Sequence, residues 1–404
     1  MKRRTFLKAS AVSLASAVLP LGKTKAAPEP PSLKKPVRSG PESTVFLAGV
    51  VRGSTEKVFK NAVREAANAA TDFSWLSKGD AVFIKPALNS GNRYPATTSP
   101  AAIGAMVALL MEKGAGRVIV GDMSGIEHVK LTPEGIRGSS RDLMKACGMA
   151  DAALGSGAEL HFPEEAGWNA FYQDMPASGS NWKGGLMMPK ILREVDHIVL
   201  MPRCSRHVLA GSTLGLKAAV GYWRTDTRLE YHRDASTFQE KTAEGNTVGT
   251  LLQKQRLVLT AADKILTSFG PDKGYVMQPE TGLVIASESV VAHDMASLAW
   301  LLMNRESVPE SEKDTFSDPY ESQFIVTIGN HWVVGKLGGW LEALTPEGLT
   351  RNDINTIWDD RVLNRAYQVF GGRPEINVKT ANPAVPGEVE GRLAEMTTPP
   401  VLKG

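Results

Sequence analysis

The segment from Ala81 to Asp122 constrains the fold more than any other part of this chain. Ala81-Val82-Phe83-Ile84 reads as a buried strand that runs straight into Lys85-Pro86 and a polar loop to Thr98. Ser99 is placed to cap, and Pro100 to open, a helix over Ala101 to Lys113 that stops at Gly114. Arg117-Val118-Ile119-Val120-Gly121 is the next strand, and it ends at Asp122. A strand, a loop, a helix and a second strand in this order are the signature of a parallel sheet. The expected fold class is therefore α/β: a mostly parallel sheet with helices on both faces, plus an irregular C-terminal extension.

The pattern recurs along the chain. Val45–Val50 is a short apolar strand. Val58, Phe59, Ala62, Val63, Ala66 and Ala67 then follow at helical spacing, with Ser54 as a cap. Val195 to Met201 reads as a strand, followed by a long polar loop holding Gly211, Gly215 and Gly221. Thr247 to Leu257 reads as helix, Val258 to Leu266 as an irregular stretch containing a strand, Leu283 to Ala286 as strand and Ser289 to Met303 as helix. Beyond residue 305 the pattern weakens. Trp332, Trp340 and Trp358 suggest packing against the main domain, and the Pro-rich end from Asn382 reads as a mobile tail. No internal repeat is evident.

The first 26 residues read differently. Lys2-Arg3-Arg4-Thr5-Phe6-Leu7-Lys8 resembles a twin-arginine export signal, and the mildly apolar stretch from Ala11 to Leu21 follows it. Lys23 and Lys25 flank Thr24-Lys25-Ala26, a small-x-small cleavage site, and no cysteine follows that would carry a lipid anchor. The organisation expected is a signal peptide at 1–26, a Pro-rich linker at 27–44, an α/β domain at 45–304 and the extension at 305–404. The compartment is then periplasmic or extracellular, with the twin-arginine translocase as a transient partner. That route carries folded proteins, which suits a cofactor or partner acquired before export.

Composition narrows the functions. The net charge of +3 owes its sign to six basic residues, and no acidic one, within residues 1–26. The remaining chain is slightly acidic, so no nucleic-acid partner is expected. No apolar run reaches the ~18 residues that span a bilayer, so no stable membrane anchor is expected. Cys147 and Cys204 are the only cysteines. Two thiols cannot hold an iron–sulfur cluster, which takes about four ligands. In an oxidising compartment they could pair, but they read as two buried free thiols.

Ligands of open α/β sheets sit where strands end and loops begin. Lys85 closes one strand, and Asn89, Thr97 and Thr98 follow it. Together with a helix start they could hold an anion, or they could be a solvated strand end and a helix cap. Asp122 could accept from a ligand hydroxyl, ligate a cation, or cap a turn. Arg203, Arg206, His207 and Lys217 are the densest cluster, flanking glycines after a strand. Arg203 and Lys217 favour an acidic ligand, and His207 could carry a proton or bind a metal. The alternative for this cluster is a charged, solvated loop. Tyr222, Trp223, Tyr231 and His232 could line a pocket wall or simply pack. Gly270-Pro271-Asp272-Lys273-Gly274 permits close backbone approach to a ligand. Asp294 borders an apolar helical stripe of Val291, Met295, Leu298 and Leu302. It could pair with Lys85 or Lys217, bind a metal, or serve as a helix N-terminal acid. The seven histidines have no tight metal spacing, so any metal is unspecified, and no phosphate-loop, nucleophile-elbow or zinc-protease motif occurs.

In order and spacing, several of these segments resemble the DUF362 family, a group of unknown function often joined to ferredoxin-type modules. The resemblance covers roughly residues 45–303. It rests on Val82-Phe83-Ile84-Lys85-Pro86, Thr97-Thr98, and Gly114-Ala115 before Val118-Ile119-Val120-Gly121-Asp122. It continues through Pro202 and a basic residue, His207, Gly215-Leu216-Lys217, Gly270-Pro271 with Gly274, and Ala292-His293-Asp294. Against the family pattern, Ala87 and Ala218 stand where asparagines are usual, and Ser205-Arg206 replaces a second lysine. The cysteine-rich module is missing, so no cluster of the chain's own is expected. A vaguer likeness to the amino-terminal domain of lactate racemase-type proteins is an analogy of fold only. Two functions compete. One is an exported enzyme of unspecified reaction acting on a small anionic molecule. Lys85, Arg203 and Lys217 would bind it, His207 would move a proton, and Asp294 would orient a base or ligate a metal. The other is a carrier or maturation factor delivering a cofactor or metal to a periplasmic redox partner. A scaffold whose site has decayed, suggested by Ala87 and Ala218, is the third possibility.

Overall fold

The computed structural model describes residues 39–179, 181–268, 270–312, 323–344 and 347–400. The export signal and most of the linker lie outside them. Eight strands form the main path of one sheet. In chain order they are β1 (Ser39–Val51), β2 (Ala81–Pro86), β3 (Arg117–Gly121), β4 (Glu159–His161), β5 (His197–Met201), β8 (Gln255–Leu266), β9 (Thr281–Ser287) and β10 (Arg373–Thr380). Two further strands, β6 (Arg203–His207) and β7 (Gly211–Thr213), branch from β8. The spatial order is β10-β1-β9-β8-β5-β2-β3-β4. From β8 to β4 every pairing is parallel. Only β9 runs against both its neighbours. The α/β fold with a mostly parallel sheet is thus as the sequence implies.

The central strands β2, β3, β5 and β9 are largely apolar because both faces are covered. Val82 and Ile84 join the core on one side, and Phe83 joins the core on the other. The first side carries α1 (Glu56–Ala70) and α2 (Pro100–Glu112). Ser99 caps α2 through the Ala102 N–H, but Thr55, one residue after Ser54, caps α1. The opposite side carries α5 (Val290–Arg305), almost wholly buried, together with aromatic packing of Trp182, Trp223, Tyr231 and Phe238.

Several expectations need correction. The strand expected from Val45 starts at Ser39, because the polar run Ser39–Thr44 pairs along β10. The polar loop after β5 is instead a hairpin, β6 with β7, followed by the short helix α3 (Gly215–Ala218) and then α4 (Thr225–Arg233). The helix at 247–257 ends at Lys254, where the long strand β8 begins.

The C-terminal extension adds α6 (Gln323–Leu337), α7 (Arg361–Val369), strand β10 and α8 (Gly387–Thr397). From Asn382 to Pro400 the end is therefore not a mobile tail. Asn382 exchanges hydrogen bonds with the Gly49 backbone, and Val385 and Leu393 are buried in the α5 core. Trp340 does not pack as expected and stands 68% exposed. Among the described residues no helix is long and apolar enough to cross a membrane.

Candidate functional site

Parallel pairing brings β2, β3 and β5 to a common carboxyl edge, with Lys85 opposite Leu200 and Ile84 opposite Val120. A cavity of about 360 Å³ opens there. Its floor is ionic. The Lys85 ammonium is 1% exposed, 2.9 Å from Asp122 Oδ1, and donates to the Pro86 carbonyl at 2.7 Å. Asp122 Oδ2 accepts from the Leu88 N–H at 2.8 Å, which fixes the carboxylate between strand end and loop. Burial lowers the Lys85 pKa, and Asp122 opposes that shift. Gly221 lies against this pair so closely that any added Cβ would collide with Asp122 and the end of Lys85.

Three more cations face the same space. Arg203 donates to the carbonyls of Ala96 and Pro271. Arg228, on α4, donates to Ser124 at 2.6 Å, Met123 at 2.8 Å and Gly221 at 3.2 Å. Burial pulls each guanidinium down to about 10, still high enough to hold its charge at neutral pH. Lys217 is different. Among the described residues it has no ion pair and no hydrogen bond from its ammonium, and burial beside Arg203, Arg228 and Lys85 lowers it to about 7.

His207 lines the cavity and accepts on Nδ1 from the N–H groups of Leu209 and Ala210, at 3.1 and 3.2 Å. Burial first, and Lys217 second, push its pKa well below the usual histidine range. A neutral ring with Nδ1 accepting carries its one proton on Nε2. His232, pushed down to about 3 by burial, shares the cavity and pairs with Asn330 through Nδ1 at 2.8 Å.

The rest of the wall is apolar, with Leu88, Met123, Ile126, Val208, Leu209 and Val220 on one side and α6 closing the other through Trp332, Val333 and Leu337. Ala87 and Ala218 both line it and add methyl groups to this wall. At the mouth stand Asn89, Glu127, His128 and Asp272. One ligand atom from each of Glu127, His128 and Asp272 lies within 4.8 Å of the others. Asp272 accepts from Asn89 and from Ser90 Oγ, and burial and Asp272 both raise the Glu127 pKa.

Of the residues singled out in the sequence, Lys85, Asn89, Asp122, Arg203, His207, Lys217 and Gly270 line one cavity. Gly270 has φ +56°, and a side chain there would strike the Arg206 carbonyl. Gly274 belongs to the same turn but not to the cavity wall. Thr97 and Thr98 do not line it either. Thr98 bridges the Ala87 N–H and the Met201 carbonyl, and Thr97 donates to Asn92, so both hold the loop in place.

Asp294 is also elsewhere. It accepts from the Gly215 and Leu216 N–H groups at 2.8 and 2.7 Å and from His293, and it borders a separate small void with Asp360. It pairs with neither Lys85 nor Lys217, because the start of α3 takes its oxygens. Tyr222, Trp223 and Tyr231 are core, not cavity wall. Sequence reasoning missed Arg228, whose only signal was its place four residues before His232 on one helix, and the mouth trio, which comes from two separate loops. Cys147 and Cys204 are buried and free.

Fold and site together define an α/β protein with a cation-floored, apolar-walled cavity at the carboxyl edge of its sheet. The sequence model described as Domain of unknown function (DUF362) matches residues 82–299, more than half of the chain, and the chain belongs to that family. No curated protein sequence matches it. Among solved structures it is similar to the lactate racemase apoprotein of Thermoanaerobacterium thermosaccharolyticum, at 14% identity and a TM-score of 0.37, over 62% of this chain and 54% of that one. It is also similar to a Thermotoga maritima protein, at 14% identity and a TM-score of 0.39, over 62% and 59%. The chain thus spans little more than half the length of these structures, and the likeness is distant.

Proposed function

We propose that this protein binds a small organic anion with an apolar body in the cavity at the carboxyl edge of its sheet. One observation carries the reading: Lys85, Arg203, Lys217 and Arg228 converge on a cavity whose floor holds a single carboxylate, Asp122, with Glu127 and Asp272 out at its mouth. Buried cations that outnumber the carboxylate beside them are costly unless an anion joins them. The apolar wall, extended by Ala87 and Ala218, suits a hydrocarbon portion of the same ligand. His207, neutral with a proton on Nε2, can donate a hydrogen bond to that ligand.

Calorimetry of the mature chain with 3-phenyllactate, an acid with an apolar ring, tests this. Saturable binding that weakens with added salt is expected, and roughly tenfold weaker binding on Arg228→Met, the order of a charge-assisted hydrogen bond. No heat and no thermal shift with any aromatic carboxylate would sink the reading.

Export through the twin-arginine translocase belongs to the same proposal and rests on Arg3, Arg4 and the apolar stretch that follows them. Replacing both arginines by lysine should hold the precursor in the cytoplasm; a variant that still reaches the periplasm counts against it. The trio Glu127, His128 and Asp272 favours a second reading, a carrier that brings a metal or cofactor to a redox partner. Metal analysis of protein purified from the periplasm separates the two, since a carrier should hold metal in near-unit amount.

A further inference from the structure

Three of the four cavity cations are already committed: Lys85 to Asp122, Arg203 to two carbonyls and Arg228 to three. Among the described residues only Lys217 brings an amine to the cavity with no ion pair or hydrogen bond. Its backbone is held firmly. Asp294 accepts from the two residues before it, Gly215 and Leu216, so the short helix α3 starts at a fixed place. We infer that Lys217 is a covalent docking point, whose amine condenses with the carbonyl of an acid-bearing ligand, a 2-oxo acid or an acidic aldehyde, to form an imine. This rests on the anion-binding reading above.

The chemistry follows from the neighbours. A lysine among other cations in a desolvated pocket is partly unprotonated near neutrality, and the free amine is the nucleophile. It adds to the carbonyl carbon. Both amine hydrogens leave with the carbonyl oxygen as water, and a C=N bond replaces C=O, with no oxidant or reductant consumed. His207, on the same wall, can donate a hydrogen bond from Nε2 to the carbonyl oxygen and polarise it toward attack, while water carries the protons from the nitrogen to the departing oxygen. The committed cations hold the ligand's acid group while the carbonyl faces Lys217.

Phenylpyruvate and 3-phenyllactate share ring and carboxylate but only the first has a ketone, so the pair separates the two claims. The full mature chain is incubated with phenylpyruvate, reduced with borohydride and mapped by peptide mass spectrometry. Lys217 should carry the reduced adduct at roughly ten times or more the rate of exposed lysines such as Lys273, as an activated amine would. 3-Phenyllactate should compete it away, and Lys217→Arg should abolish the adduct. If both acids bind by calorimetry but no adduct forms at Lys217, the imine is overturned and anion binding stands. If neither acid binds, both fall.

Discussion

Two buried carboxylates, Asp122 and Asp294, look alike in the sequence, and the structure gives them different work. Each is less than 5% exposed, and each accepts from backbone N–H groups. Asp122 spends its other oxygen on Lys85 at the cavity floor. Asp294 spends both on the start of α3 and shares one with His293, away from the cavity. The difference teaches that burial and a polar neighbourhood do not identify a ligand site. What does is a charge left to face open space, and here that is the cation excess around Asp122.

The comparison breaks most readily at Asp122. Asp122→Ala strands a buried ammonium, and losses of this kind run at about 3–5 kcal/mol. An added anion should recover part of that loss, because Lys85 is then free to meet it. Urea unfolding with and without 3-phenyllactate measures both effects, and a ligand shift no larger than that of the unmodified protein would contradict the assignment. Asp294→Ala leaves two N–H groups at the start of α3 unsatisfied, at about 1–3 kcal/mol each and less than additively. Here an anion should recover no more stability than it adds to the unmodified protein.

Lys217 sharpens the contrast in the opposite direction. Replacing a desolvated, unpartnered charge by an apolar chain removes a penalty, so Lys217→Met should stabilise the ligand-free protein, by about 1–4 kcal/mol. Anion affinity should fall in the same variant. Stability rising while binding weakens marks a functional residue held at a cost. A variant that loses both would point to packing instead.

The sheet and its carboxyl edge were legible because apolar runs, a capping serine and Pro100 are local signals, and strand ends then collect the polar residues. Lys85, Asp122, Arg203, His207 and Lys217 all stand at strand ends or shortly beyond them, which is why position alone nominated them. Thr97, Thr98 and Asp294 occupied equally suggestive positions, but which way a hydroxyl or carboxylate turns depends on backbone groups supplied by other segments, the Met201 carbonyl and the Gly215 N–H among them. Arg228 escaped because nothing in its own helix marks the face that meets the Ser124 loop. The C-terminal segment escaped because β10 and α8 draw their order from β1 and α5, contacts more than eighty positions apart in sequence.

The two carboxylate regions should also answer pH with opposite sign. On the cavity side His232 is held down to about 3, against about 6.5 in an unfolded chain. Between those values the unfolded state binds the extra proton, so stability is full above about 6.5 and is lost as pH falls. Beside Asp294, burial raises Asp360 to about 7. Its folded carboxyl keeps a proton that the unfolded one has released, so its contribution is greatest below the usual carboxylate value and is lost as pH rises toward 7. In the unmodified protein the two trends partly cancel between pH 4 and 6.5. Asp360→Asn keeps the cap oxygen that serves Val362 but removes the titration, so the acid-side loss should steepen, by at most about 1.4 kcal/mol per pH unit. His232→Asn should flatten it. Urea midpoints across that pH range decide the matter: equal slopes in both variants would mean that neither group titrates as its surroundings imply.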